Sequence, residues 1–63
     1  FVWHRDKEDR LVEVISGNGW QFQPENCLPL LLQPGIKFKI KEGEYHRLIK
    51  GIDNLQIRIT KLL

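Results

Sequence analysis

Turn-forming residues cut this chain at short intervals, and between the cuts the side chains alternate with a period of two. The cuts fall at Gly17-Asn18-Gly19, Pro24-Glu25-Asn26, Pro34-Gly35, Glu42-Gly43 and Asp53-Asn54. In Ile36-Lys37-Phe38-Lys39-Ile40 the apolar residues share one face and both lysines the other. Leu55, Ile57 and Ile59 repeat the pattern, as do Trp20 and Phe22, and Arg10 to Ile15 reads as a Val- and Ile-rich buried strand. No segment holds a helical stripe, because Leu48 to Leu55 is broken by Gly51 and Asp53-Asn54. Five or six short strands separated by regular turns predict an all-β barrel or sandwich. The Gly-Asn-Gly stretch suits the positive φ of a tight hairpin turn.

Length narrows the outcome further. With 63 residues the chain makes one domain. A domain of this size buries only about 60% of the surface it exposes when unfolded, so a disulfide, a metal or a partner chain is expected to support it. Cys27 is the sole cysteine, which excludes an internal disulfide and leaves metal or oligomer. A net charge of +2, mixed with acids, is no nucleic-acid footprint. The longest apolar run, Leu30 to Leu32, is too short to span a bilayer, and Phe1-Val2-Trp3 runs straight into charge, unlike a secretion signal. A cytoplasmic protein, without membrane or nucleic-acid partners, is the expectation.

Both histidines stand at strand-like spacing. Val2, His4 and Asp6 share one side of an extended segment, and Glu44, His46 and Leu48 share one side of another. A buried imidazole needs partners for both ring nitrogens, and two histidines with one aspartate are the ligand set of facial-triad Fe(II) and Mn(II) sites. The plainer reading makes His4 and His46 hydrogen-bonded relics and Asp6 a residue of the solvated charge run His4 to Arg10. Glu8, Glu13 and Glu44 are further candidate acids. Trp3, Trp20, Phe22 and Phe38 read as core or interface aromatics, with a ligand-lining role as the alternative. Cys27 reads as a packed or surface thiol, and Lys37, Lys39 and Lys41 as a solvent face guarding an edge strand.

The spacing Gly35-x5-Lys41-x-Gly43-x2-His46-x3-Lys50 resembles the second motif of the cupin superfamily, with Lys41 in place of its proline and Lys50 in place of its asparagine. His4-x-Asp6-x3-Arg10-x6-Gly17 keeps the register of the first motif. The stretches VISGNGWQFQ and EYHRLIKG are similar in texture to small bacterial and phage cupins, and the likeness runs from Trp3 to Ile59. It implies a double-stranded β-helix, or jelly-roll, barrel over residues 1–63, with the strands that usually precede the first motif missing, and dimerisation through added or exchanged strands. It also implies a ligand-binding barrel mouth. There His4 and His46 keep two of four usual metal ligands, Asp6 stands in for a third, and Arg10 replaces the glutamate.

Arg10 is the informative departure, because a guanidinium held about 4 Å from a dication is repelled by several kcal/mol at an effective dielectric near 20. Either Arg10 swings away, and His4, Asp6 and His46 hold one divalent ion (Fe, Mn, Ni or Zn) with open positions for dioxygenase or isomerase-like chemistry. Or Arg10 pairs with Asp6 and no metal binds, leaving a binder of small anions or sugars, or a dimeric scaffold. Arg10, Trp20 and Glu44 are the candidate ligand-binding residues. A third reading, outside the family, is a small SH3- or OB-type adaptor for peptide or nucleic acid.

Overall fold

The computed structural model describes residues 2–62, which contain six β-strands and no helix. The strands are β1 (Asp9–Ser16), β2 (Gln21–Pro24), β3 (Leu30–Leu31), β4 (Lys37–Ile40), β5 (His46–Ile49) and β6 (Gln56–Leu62). They form two antiparallel sheets, ordered β4-β1-β6 and β3-β2-β5. The inner face of the first sheet follows from its register. Val12 lies opposite Phe38 and Ile59, and Val14 opposite Ile57, so period-two alternation brings these apolar side chains to one side. On the second sheet Phe22 pairs with Leu48 and Pro24 with His46. Between the sheets lies a core of Val12, Val14, Trp20, Phe22, Leu32 and Ile40, with Ile36, Phe38, Leu48 and Leu55 packed against it.

A short extension of the second sheet positions the histidines. His4 and His46 form an antiparallel bridge, His4 N–H donating to the His46 carbonyl at 3.0 Å and His46 N–H to the His4 carbonyl at 2.9 Å. The chain then passes to β1 through Asp6, whose carbonyl accepts from Gly43 N–H at 2.9 Å. Gly43 has φ 78°, a left-handed conformation that glycine adopts without strain, and so closes the turn from β4 into the segment carrying His46. The first turn of the chain behaves differently from its expectation. Gly17 and Gly19 do adopt positive φ (142° and 75°), yet β1 and β2 lie in different sheets, so Gly17-Asn18-Gly19 is a crossover and not a hairpin.

Burial also departs from pattern in two strands. In β1 only Val12 and Val14 are buried, while Leu11 and Ile15 face outward and are exposed. Along β6 every residue is exposed, including Ile57 and Ile59 (46%), because β6 is a sheet edge with its inner row only partly covered. No helix among the described residues is long and apolar enough to cross a membrane.

Candidate metal centre

His46 is the buried polar residue of the core, 3% exposed, at the start of β5 beside Phe22. His4 is exposed and Asp6 half-buried, so the three form a ramp from solvent to interior. Their nearest ligand-type atoms all lie within 4.8 Å of one another. His46 Nε2 stands 3.0 Å from His4 Nε2 and 3.6 Å from Asp6 Oδ2, and the two rings meet edge-on with centroids 4.2 Å apart.

The outer nitrogens define the chemistry of the inner ones. His46 Nδ1 lies 2.9 Å from the Glu44 carbonyl, and His4 Nδ1 lies 3.3 Å from the Val2 carbonyl. A carbonyl oxygen only accepts, so a ring bonded this way donates from Nδ1, and the 3.0 Å contact between the two Nε2 atoms is met either by a proton on one of them or by a shared metal ion. The two Nε2 atoms approach to 3.0 Å beside a carboxylate oxygen, with the rings edge-on and not head to head. That arrangement calls for a cation between them, a proton or a metal ion. Backbone carbonyls on Nδ1 are also how proteins orient imidazoles for metal.

The spacing admits more than one ion geometry. Two nitrogens bound at about 2.1 Å stand about 3.0 Å apart when they subtend a right angle, and about 3.4 Å apart in a tetrahedron. The Nε2–Nε2 separation of 3.0 Å lies within reach of either arrangement after small side-chain shifts. The donor set fits a divalent metal.

Arg10 does not swing away: it stays beside the ligands in a loose ion pair with Asp6, the second of the two expected positions. It lines the same cavity of about 100 Å³ as His4, Asp6 and His46, with Nη1 3.7 Å from Asp6 Oδ1 and Nη2 3.5 Å from Glu8 Oε1. Both separations exceed the roughly 2.7–2.9 Å of a charge-assisted hydrogen bond, and Arg10 Nε is buried without a hydrogen-bond partner among the described residues. Asp6 faces two ways, Oδ1 to the guanidinium and Oδ2 to the imidazole.

The remaining candidates are dispersed. Trp20 is buried at another part of the core, its Nε1–H donating to the Asp53 carbonyl at 2.7 Å, and does not line the histidine cavity. Glu44 serves the site through its backbone carbonyl, a role that no side-chain pattern announces. Glu8 bridges Arg10 and Lys61 at 3.5 and 3.4 Å, and Glu13 pairs with Arg58 at 3.4 Å on the outside. Trp3 is exposed and carries the Arg47 guanidinium 4.9 Å from its ring centre. Cys27 is an exposed thiol. Lys39 pairs with Asp9 at 3.4 Å, and the Asp9 carboxylate, accepting Glu42 N–H at 2.7 Å, titrates below its ordinary value because of that backbone bond and the neighbouring Lys39 and Lys41.

Comparison of the sequence with known protein families, curated proteins and solved structures finds no match.

Proposed function

We propose that this chain is a small cupin-type jelly-roll protein that holds one divalent metal on His4, Asp6 and His46 and acts on a small molecule at the mouth of the fold. The observation that carries the reading is the convergence of His4 Nε2, His46 Nε2 and the Asp6 carboxylate, with ligand-type atoms all within 4.8 Å of one another. When bound, the ion supplies Lewis-acid polarisation or oxygen-dependent chemistry, of the dioxygenase or isomerase type. The chain's own residues do the rest. Val2 and Glu44 carbonyls hold the imidazoles in the ligating tautomer, and Asp6 lends charge. The apolar wall of Phe22, Phe38 and Leu48 keeps the inner side of the site dry.

Iron(II), manganese(II), nickel(II) and zinc(II) are all compatible with this donor set. Cobalt(II) titration followed by visible absorption tests the assignment, with one ion taken up per chain and no uptake by His46→Ala. Uptake undiminished in that variant sinks the reading. Metal should also stabilise the fold. At free metal a hundredfold above Kd the linkage is about 2.7 kcal/mol, on the order of 10 °C in melting temperature for a domain this small, and EDTA removes it.

The Arg10–Asp6 approach of 3.7 Å favours a second reading, in which that pair replaces the metal and the cavity takes a small anion or sugar, or the chain serves as a scaffold. Under it EDTA leaves the melting temperature unmoved. In either case we propose that the chain dimerises through an edge. β6 is exposed along its length, and Leu28 (90% exposed), Leu30 and Leu31 present apolar surface at the other sheet.

A further inference from the structure

We propose that the cavity beside the metal centre is a carboxylate subsite, in which Arg10 receives the carboxylate of a short-chain organic acid and the apolar wall receives its tail. The inference rests on the metal reading above and specifies the ligand class of that site.

Charge comes first. Asp6 and Arg10 cancel at the cavity wall, and Glu8 cancels Lys61, its partner at 3.4 Å. With neutral imidazoles, a divalent ion then leaves two positive charges uncompensated. In a half-buried site such an excess selects an anion over a neutral molecule of the same shape. Donors come second. Arg10 lines the cavity, meets both of its acids at separations too long for strong hydrogen bonds, and keeps a buried Nε–H without a partner among the described residues. A guanidinium in that state has donors left for a carboxylate, its geometric complement. Size and polarity come third. The cavity of about 100 Å³ has the room of roughly three water molecules, enough for a carboxylate and its first carbon, with any longer tail lying along the apolar lining toward the entrance. Past Arg10 its lining is apolar, through Phe38, Leu48, Ile57 and Ile59. Exposure of His4 and the partial exposure of Ile57 and Ile59 leave an entrance. A nucleotide does not fit these dimensions.

The experiment loads the protein with manganese(II), measures the metal stoichiometry, and titrates it calorimetrically with butyrate, acetate and butyramide. Expected are one manganese per chain, butyrate binding at least tenfold more tightly than butyramide, and butyrate more tightly than acetate. Arg10→Gln should keep the manganese and lose the preference for butyrate over butyramide. Ile59→Ala should keep the charge preference and narrow the gap between butyrate and acetate. Equal affinity for butyrate and butyramide in manganese-loaded wild-type protein overturns the carboxylate subsite and leaves the metal reading intact. That comparison decides the matter even where Arg10→Gln fails to fold. Failure of the wild-type protein to take up manganese(II), iron(II), nickel(II) or zinc(II) overturns both.

Discussion

Two polar clusters in this small fold are built on opposite terms. Around Asn18 and Asp53 every contact is short. Asn18 N–H and Nδ2–H each donate to the Asp53 carboxylate at 2.8 Å, Trp20 Nε1–H donates to the Asp53 carbonyl at 2.7 Å, and Ile52 N–H donates to the Asn18 carbonyl at 3.0 Å. Around His4, Asp6, His46 and Arg10 the side-chain contacts to one another are looser, 3.0 Å between the two Nε2 atoms and 3.5–3.7 Å for Arg10 with its acids and His46 with Asp6, while His46 Nδ1 meets the Glu44 carbonyl at 2.9 Å. The first cluster has its donors matched to acceptors and fixes where the chain crosses between sheets. The second has two imidazole nitrogens and a carboxylate converging, and a guanidinium short of hydrogen bonds. Satisfied polar groups stabilise a fold. Groups left in tension are where a ligand adds what is missing.

The sharpest break in the comparison is at Gly51. A Cβ there would collide with the Asn18 carbonyl and with the backbone and ring of Trp20, none of which is a flexible side-chain end. Gly51→Ala is expected to cost about 3 kcal/mol, read as a lowered urea midpoint. Next comes Asp53→Ala, which removes both Asn18 bonds and is expected to cost about 1–2 kcal/mol, tempered by exposure, while metal uptake per folded chain stays unchanged.

At the other cluster the effects invert. Arg10→Gln removes a positive charge from beside the metal ligands, so metal affinity is expected to rise at least tenfold, or by about 1.4 kcal/mol or more, with little change in metal-free stability. Competition against a fluorescent chelator measures it, and a fall in affinity would contradict the electrostatic account.

The smallest effect concerns Asp9, which anchors the turn before His46 through Glu42 N–H. Its folded pKa is lowered from 3.8, so its contribution is fully present above that value and is lost as pH falls through the lower folded value. Asp9→Asn should therefore lower the melting temperature slightly at pH 7. The gap to wild type should close under acid conditions below pH 3.8.

Local signals made part of this legible in the sequence. Alternation in Ile36 to Ile40 and the closely spaced turns pointed to an all-β fold, and positive φ at Gly35 and Gly43 gives two of the motif glycines a physical reason. The same-face spacing of His4 and Asp6, and the resemblance that pairs them with His46, picked out the three residues that meet. What stayed hidden depends on distant partners. Whether Gly17-Asn18-Gly19 turns back or crosses over is decided by Asp53, 35 residues beyond Asn18, and nothing near either residue announces the bond. Ile57 and Ile59 alternate like core residues, but only sheet order reveals that β6 is an edge. The Glu44 and Val2 carbonyls that set the histidine tautomers belong to the backbone and leave no trace in residue identity.

The measurement that bears most directly on the central claim is metal content by plasma mass spectrometry. It needs untagged protein purified without chelator, reconstituted anaerobically with iron(II) or manganese(II), beside His46→Ala and Asp6→Asn. One ion per wild-type chain, with little or none in His46→Ala and less in Asp6→Asn, is the expected result. No ion in the wild-type chain, or equal loading of all three proteins, would contradict it.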